Sequence, residues 1–215
     1  MHLPEAEGVI KFTLSYTASD EGLDCPDFDA LNHSRSLLWQ WGVVGQDDLR
    51  YGGLGYGNVS VRTVERESTG AFVITGTQTG HLPTLTAQHY AQVLSYDVKR
   101  HWLQAFGARK PSSEAMTHAA IYQCMPTTVN AVIHGHHPRI WQQAQALGLV
   151  CMAADIAYGT PQMAQVMQAV LRDTQPARNT VVMLGHEDGF ITWGESLAEA
   201  VALVRQLLQD AAHIP

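Results

Sequence analysis

Val129-Asn130-Ala131-Val132-Ile133-His134-Gly135-His136-His137-Pro138 is the stretch on which the rest of the chain is organised. A β-branched apolar run ending in His-x-His reads as a strand, and residues i and i+2 of a strand point to one face. His134 and His136 are thereby set side by side, able to hold one metal ion. Neutral imidazole nitrogens suit zinc, which takes its further ligands from elsewhere in the chain. The competing reading is a pair of core or surface histidines, since most histidines ligate nothing. His137 faces the opposite side and precedes Pro138, a favourable first helical residue, so its expected role is structural.

The 215 residues are 46% hydrophobic and 15% charged, which suits a single domain over 1–215, with residues 1–27 as an N-terminal strand and loop extension. Lys+Arg 13 against Asp+Glu 20 give a net charge of −7, without a basic run. Neither a nucleic-acid footprint nor a polybasic membrane patch is expected, so an anionic ligand must be held by a local device. Cys25, Cys124 and Cys151 form no C-x-x-C pair, which argues against a disulfide framework or a zinc knuckle and predicts a reducing, cytoplasmic setting. Met1-His2-Leu3-Pro4-Glu5 lacks the plan of a signal peptide, and no apolar run approaches the roughly 18 residues of a membrane span.

Upstream of the histidines, residues 8–14 alternate like an edge strand and 18–27 read as a loop. Asp27 is placed to cap a helix striped by Phe28, Leu31, Leu38 and Trp41, with Gly42 past its end. Gly52, Gly53, Gly55 and Gly57 crowd the turn before a strand at 58–62. Phe72-Val73-Ile74-Thr75 is another strand, followed by the small turn Gly76-Thr77-Gln78-Thr79-Gly80. Both turns let backbone N–H groups approach a ligand and could converge on one anion, although neither has the spacing of a Walker loop or a dinucleotide fingerprint. Residues 85–107 stay open between helix and strand, with alternation over 92–96 favouring a strand. Pro111-Ser112-Ser113-Glu114 starts a helix with Glu114 in its first turn and Met116, Ala119, Ala120 and Ile121 inward.

Downstream, a helix is expected from Pro138 to Leu147, stopped by Gly148. A second is opened by Thr160-Pro161 and buries Met163, Met167, Val170 and Leu171, its two methionines reading as core filler. Residues 179–184 form a strand whose turn, Gly185-His186-Glu187-Asp188-Gly189, leads into a hairpin partner at 190–193. Ser196-Leu197-Ala198-Glu199 is a capping box for a last helix carrying Leu197, Val201, Val204 and Leu208. The order of elements predicts an α/β domain with a largely antiparallel sheet covered by helices.

In sequence order, Gly57-Asn58-Val59-Ser60, Thr79-Gly80, Pro111-Ser112-Ser113-Glu114, His134-Gly135-His136 and His186 resemble the class II aldolase/adducin family, over about residues 28–210. The resemblance implies a three-layer fold and a divalent metal, commonly Zn2+, on His134, His136 and one later histidine. It also implies a substrate phosphate gripped by Gly57, Asn58, Thr79, Gly80, Ser112 and Ser113, and Glu114 as acid/base. Neutral donors and a helix N-terminus can hold a dianion without a basic patch. A helix-start carboxylate is the alternative for Glu114, and a packing role the expectation for His118. The implied activity is that of a metal-dependent lyase acting on a small, sugar-phosphate-like hydroxycarbonyl through a metal-stabilised enediolate, with aldol cleavage foremost. Dehydration, decarboxylation and epimerisation are the variants, and a non-catalytic adducin-like binding module is the contrasting class. A homotetramer of carbohydrate metabolism is implied as well. Two positions depart from the family pattern. Asp188 stands where members carry histidine, with His186 two residues earlier, and His186 is the preferred third ligand. The segment between Gly148 and Tyr158 is shorter than in the family's aldolases and lacks their tyrosine-bearing loop, and nothing in the sequence places Tyr158 at the site.

Overall fold

In the computed structural model, residues 8–20, 23, 25, 27–63, 70–125, 127–174 and 176–214 are described. Met1–Glu5 and parts of the expected 18–27 loop lie outside them. Along the chain run β1 (Thr13–Ala18), α1 (Phe28–Gln40), β2 (Gly45–Gln46), β3 (Gly55–Tyr56), β4 (Asn58–Arg62), β5 (Phe72–Thr75), β6 (Tyr90–Asp97) and β7 (Trp102–Gly107). They are followed by α2 (Ala115–Cys124), β8 (Ala131–His136), α3 (Pro138–Gln142), β9 (Val150–Met152), α4 (Pro161–Asp173), β10 (Thr180–Met183), β11 (Gly189–Gly194) and α5 (Leu197–His213).

Nine of these strands form one sheet in the order β1-β7-β6-β5-β4-β8-β11-β10-β9, antiparallel except that the edge strands β1 and β9 run parallel to β7 and β10. β2 and β3 pair separately as a small ribbon around residues 47–54. The alternation of β8 shows how the layers arise. Val132 packs into a core with α2 and α4, whereas Ala131 and Ile133 pack on the other face with α1, α3 and α5. Helices therefore cover both faces of a largely antiparallel sheet, in three layers. No helix among the described residues is long and apolar enough to cross a membrane.

The sheet has a seam. β4 to β7 are successive neighbours with β1 added at the edge, β8 to β11 occupy the other side, and the two sets meet where Asn58 of β4 pairs with His134 of β8. Thr160 and Ser196 cap α4 and α5 by accepting from Met163 N and Glu199 N, each such cap contributing about 1 kcal/mol.

Several boundaries differ from the sequence expectation. The edge strand lies at 13–18 rather than 8–14, because Phe12 is the side chain that enters the core and pairing with β7 begins at Thr13. Residues 85–107 are settled as the β6–β7 hairpin, entered through a 3-10 turn at Ala87–His89. α3 ends at Gln142 instead of running to Leu147, the chain continuing in turns to Gly148. Glu114 is the N-cap residue of α2, not part of its first turn. At α5 the box is half formed: Glu199 reaches back to Glu195 N rather than to the cap residue.

Candidate active site

β8 ends with His134 and His136 on one face, and Gly135 between them on the other face lies against Val43 and Phe190. The β10–β11 turn carries His186 to the same point. Its ring centroid is 5.0 Å from that of His134 and 4.6 Å from that of His136, and one ligating atom from each of the three imidazoles lies within 4.8 Å of the others. All three are buried, and burial, reinforced by their neighbours, holds His134 and His136 far below the usual histidine pKa. Burial thus favours the neutral imidazole at His134 and His136, the form that ligates a metal.

Asn58, expected only as a phosphate contact, also touches this cluster: its amide lies 3.2 Å from His134 Nδ1. The approaching atom is the amide nitrogen Nδ2, and both Asn58 Oδ1 and His134 Nε2 are buried without a hydrogen-bond partner. Three buried imidazoles, one with an unpartnered buried nitrogen, fit a borderline-soft divalent ion.

Asp188 is excluded from the cluster. Its carboxylate accepts from Tyr51 OH at 2.7 Å and pairs with Arg50 at 3.2 Å. Loop 47–54 thus supplies an arginine and a tyrosine that the sequence did not reveal. The Tyr51 ring packs edge-on to His136 at 4.6 Å, and burial together with the Asp188 carboxylate keeps its phenol protonated. Tyr158 is a second finding. Its ring stacks on His186 at 4.7 Å and 20°, and Lys11 Nζ sits 4.0 Å from the ring centroid while donating to Tyr158 O at 3.0 Å. The segment from Gly148 to Tyr158 therefore ends beside the cluster.

Beside the histidines opens a cleft lined by Gly57, Asn58, Thr79, Gly80, Ser112, Ser113, Glu114 and His134, along with Gly8, Gly55, Tyr56, Gly76, Thr77 and Gln78. All six residues expected to grip a phosphate therefore share one wall with Glu114 and one imidazole. Two backbone bridges hold the turns together, Ser112 N to Thr75 O at 3.2 Å and Thr77 N to Lys110 O at 2.9 Å. Gly57 has φ +71°, and a Cβ there would lie 2.7 Å from Val44 Cγ1, so glycine is required where the chain enters β4. Glu114 is 2% exposed, and its Oε2 accepts from Thr117 Oγ1 at 3.2 Å. Ser60 and His118 stand beneath the cleft: Ser60 Oγ lies 2.7 Å from His118 Nδ1 and 2.8 Å from Tyr122 OH, the packing role expected for His118.

A family model described as the Class II Aldolase and Adducin N-terminal domain matches residues 47–214. Among solved structures, YgbL of Escherichia coli, a protein given three alternative reactions (aldolase, epimerase or decarboxylase), is 20% identical, with 86% of each chain covered and a TM-score of 0.63. L-fuculose-1-phosphate aldolase of Thermus thermophilus is 19% identical over 86% of this chain and 90% of its own, with a TM-score of 0.60. A sugar-phosphate aldolase of Thermotoga maritima is 16% identical over 86% and 93%, with a TM-score of 0.61. Comparison with curated proteins finds no match.

Proposed function

The chain belongs to the class II aldolase and adducin family, and from that premise we propose that it is a divalent-metal-dependent lyase that splits a small phosphorylated hydroxycarbonyl compound by aldol cleavage. The observation that carries the reading is the shared cleft: Glu114 and His134 open onto the same space as the anion-gripping turns. His134, His136 and His186 would hold the ion, with zinc the natural guest. When bound, such an ion supplies Lewis-acid polarisation of carbonyl and hydroxyl oxygens.

The residues then divide the work. Ser112, Ser113, Thr79, Gly80, Gly57 and Asn58 fix the phosphate, which sets the distance from anion to reacting carbon. Tyr158, reacting as its phenolate and leaving as the phenol, takes the proton of the hydroxyl that becomes the aldehyde, the carbon–carbon bond breaks, and its electron pair passes into the carbonyl as an enediolate. Glu114, as the carboxylic acid, returns a proton to the carbon and is left as the carboxylate that removes it in the reverse direction. A positioned base of this kind contributes about 10²–10⁴-fold.

The test is exchange of the carbon-bound proton of a phosphorylated hydroxyketone with deuterated water, because it reports the Glu114 step separately from cleavage. Wild-type protein with its metal exchanges the proton. Glu114→Gln, folded and metal-loaded, loses at least about 100-fold, whereas Tyr158→Phe keeps exchange and loses cleavage. Undiminished exchange in Glu114→Gln would falsify the assignment of the base.

A further inference from the structure

Arg35 lies on α1, ahead of the stretch matched by the family model. The residue is 2% exposed, and its guanidinium donates to three carbonyls of one loop: Thr79 O at 3.0 Å, Pro83 O at 3.2 Å, and Leu82 O. Among the described residues no carboxylate pairs with it, and burial draws its pKa down to about 10. Carbonyl dipoles solvate a guanidinium but do not neutralise it, so a buried cation without a counter-ion carries a standing cost.

The other side of that loop is the cleft, where Thr79 and Gly80 face the candidate anion site. The described lining residues include the Glu114 carboxyl and no lysine or arginine. Arg109, whose Cβ is near Gly76, is only half-buried and keeps access to water. The loop does not depend on Arg35 alone for its shape, because Trp39 Nε1 donates to Gly80 O at 3.1 Å and Asn32 Nδ2 to Leu85 O at 2.7 Å. What Arg35 adds beyond these neutral anchors is charge.

We propose that Arg35 is the buried counter-charge for the substrate's anionic group, a specificity-determining residue that acts through the 79–83 loop and makes the cleft select a phosphate-class dianion over a neutral group. The inference rests on the reading of the cleft given above. Opposite charges on the two sides of one loop, with protein rather than bulk water between them, attract more strongly than they would across solvent.

Calorimetric titration of inorganic phosphate into metal-loaded protein tests it. Arg35→Met is expected to weaken phosphate binding at least about tenfold with metal content unchanged, and Arg35→Lys, which keeps the charge but not the fork, to stay within about threefold of wild type. If Arg35→Met does not fold, Arg35→Lys decides by the same threshold, and a loss of about tenfold or more in it overturns the proposal, since hydrogen-bond geometry and not charge would then be at work. Wild-type affinity in folded Arg35→Met also overturns it while leaving the function of the cleft standing. Wild-type protein that binds no phosphate overturns the anionic-substrate reading itself, and this role of Arg35 with it.

Discussion

His134 Nε2, buried without a partner, and its two neighbouring imidazoles lead to the prediction that the protein purifies with about one divalent ion per chain, most of it zinc. Elemental analysis checks this, and the double change His134→Ala with His136→Ala should empty the site; stoichiometric zinc in that variant would remove the assignment. His118 makes a different prediction, about acid stability. Burial lowers its pKa from 6.5 to about 3, so between those values the unfolded chain takes up a proton that the folded chain refuses. Stability from this group is complete above pH 6.5 and is lost as pH falls, on the order of 4 kcal/mol by pH 3 at 1.36 kcal/mol per unit. Unfolding free energies measured over that range with a chelator present should fall less steeply for His118→Asn than for wild type, by up to one proton. An identical slope would mean that His118 is protonated in the folded protein.

The turn after β5 is the element on which the cleft depends most. A Cβ on Gly80 would stand 2.1 Å from Gly45 O and 2.7 Å from Gly55 Cα, both backbone atoms that cannot step aside. Gly80→Ala should therefore cost roughly 1–3 kcal/mol in a denaturant midpoint and weaken phosphate binding in the same protein, because the β2–β3 ribbon and the turn must part. Unchanged phosphate affinity would show that the turn is not part of the grip. The elements most legible in the sequence are those whose local chemistry and tertiary surroundings agree: β5, the Thr160-Pro161 start of α4, and β8 with its His-x-His. The gathering of Gly57, Asn58, Thr79, Gly80, Ser112, Ser113 and Glu114 at one cleft was legible because short motifs hold them in order. Less could be read where partners are distant in sequence. Arg50 and Tyr51 sit in a loop without periodicity, and Tyr158 meets His186 only because the turn before α4 folds back to the cluster. Arg35 occupies a helix face that reads as a polar interruption in an apolar stripe, and only its contacts with the 79–83 loop give it meaning.

For the whole molecule, the family reading predicts a cyclic tetramer with sites near the contacts between copies, a heterologous interface that closes on itself. Light scattering at micromolar concentration should give about four times the chain mass, and a monomer would contradict it. The seam between β4 and β8 bears on how such a protein comes into being. The turns proposed to grip an anion and Glu114 belong to the β4–β7 side, while all three imidazoles belong to the β8–β11 side, and the Asn58–His134 contact joins positions 76 residues apart. The β4–β7 hairpins form from nearby residues, whereas the pairings that bring β8 to β11 and β4 to β8 join positions more than 50 residues apart and each carry a loop-closure cost. A chain halted before β4 meets β8 would hold a base without an electrophile in one half and a metal trap without a substrate in the other. On the proposed function, proton abstraction would thus be withheld until the two halves have met across β4 and β8.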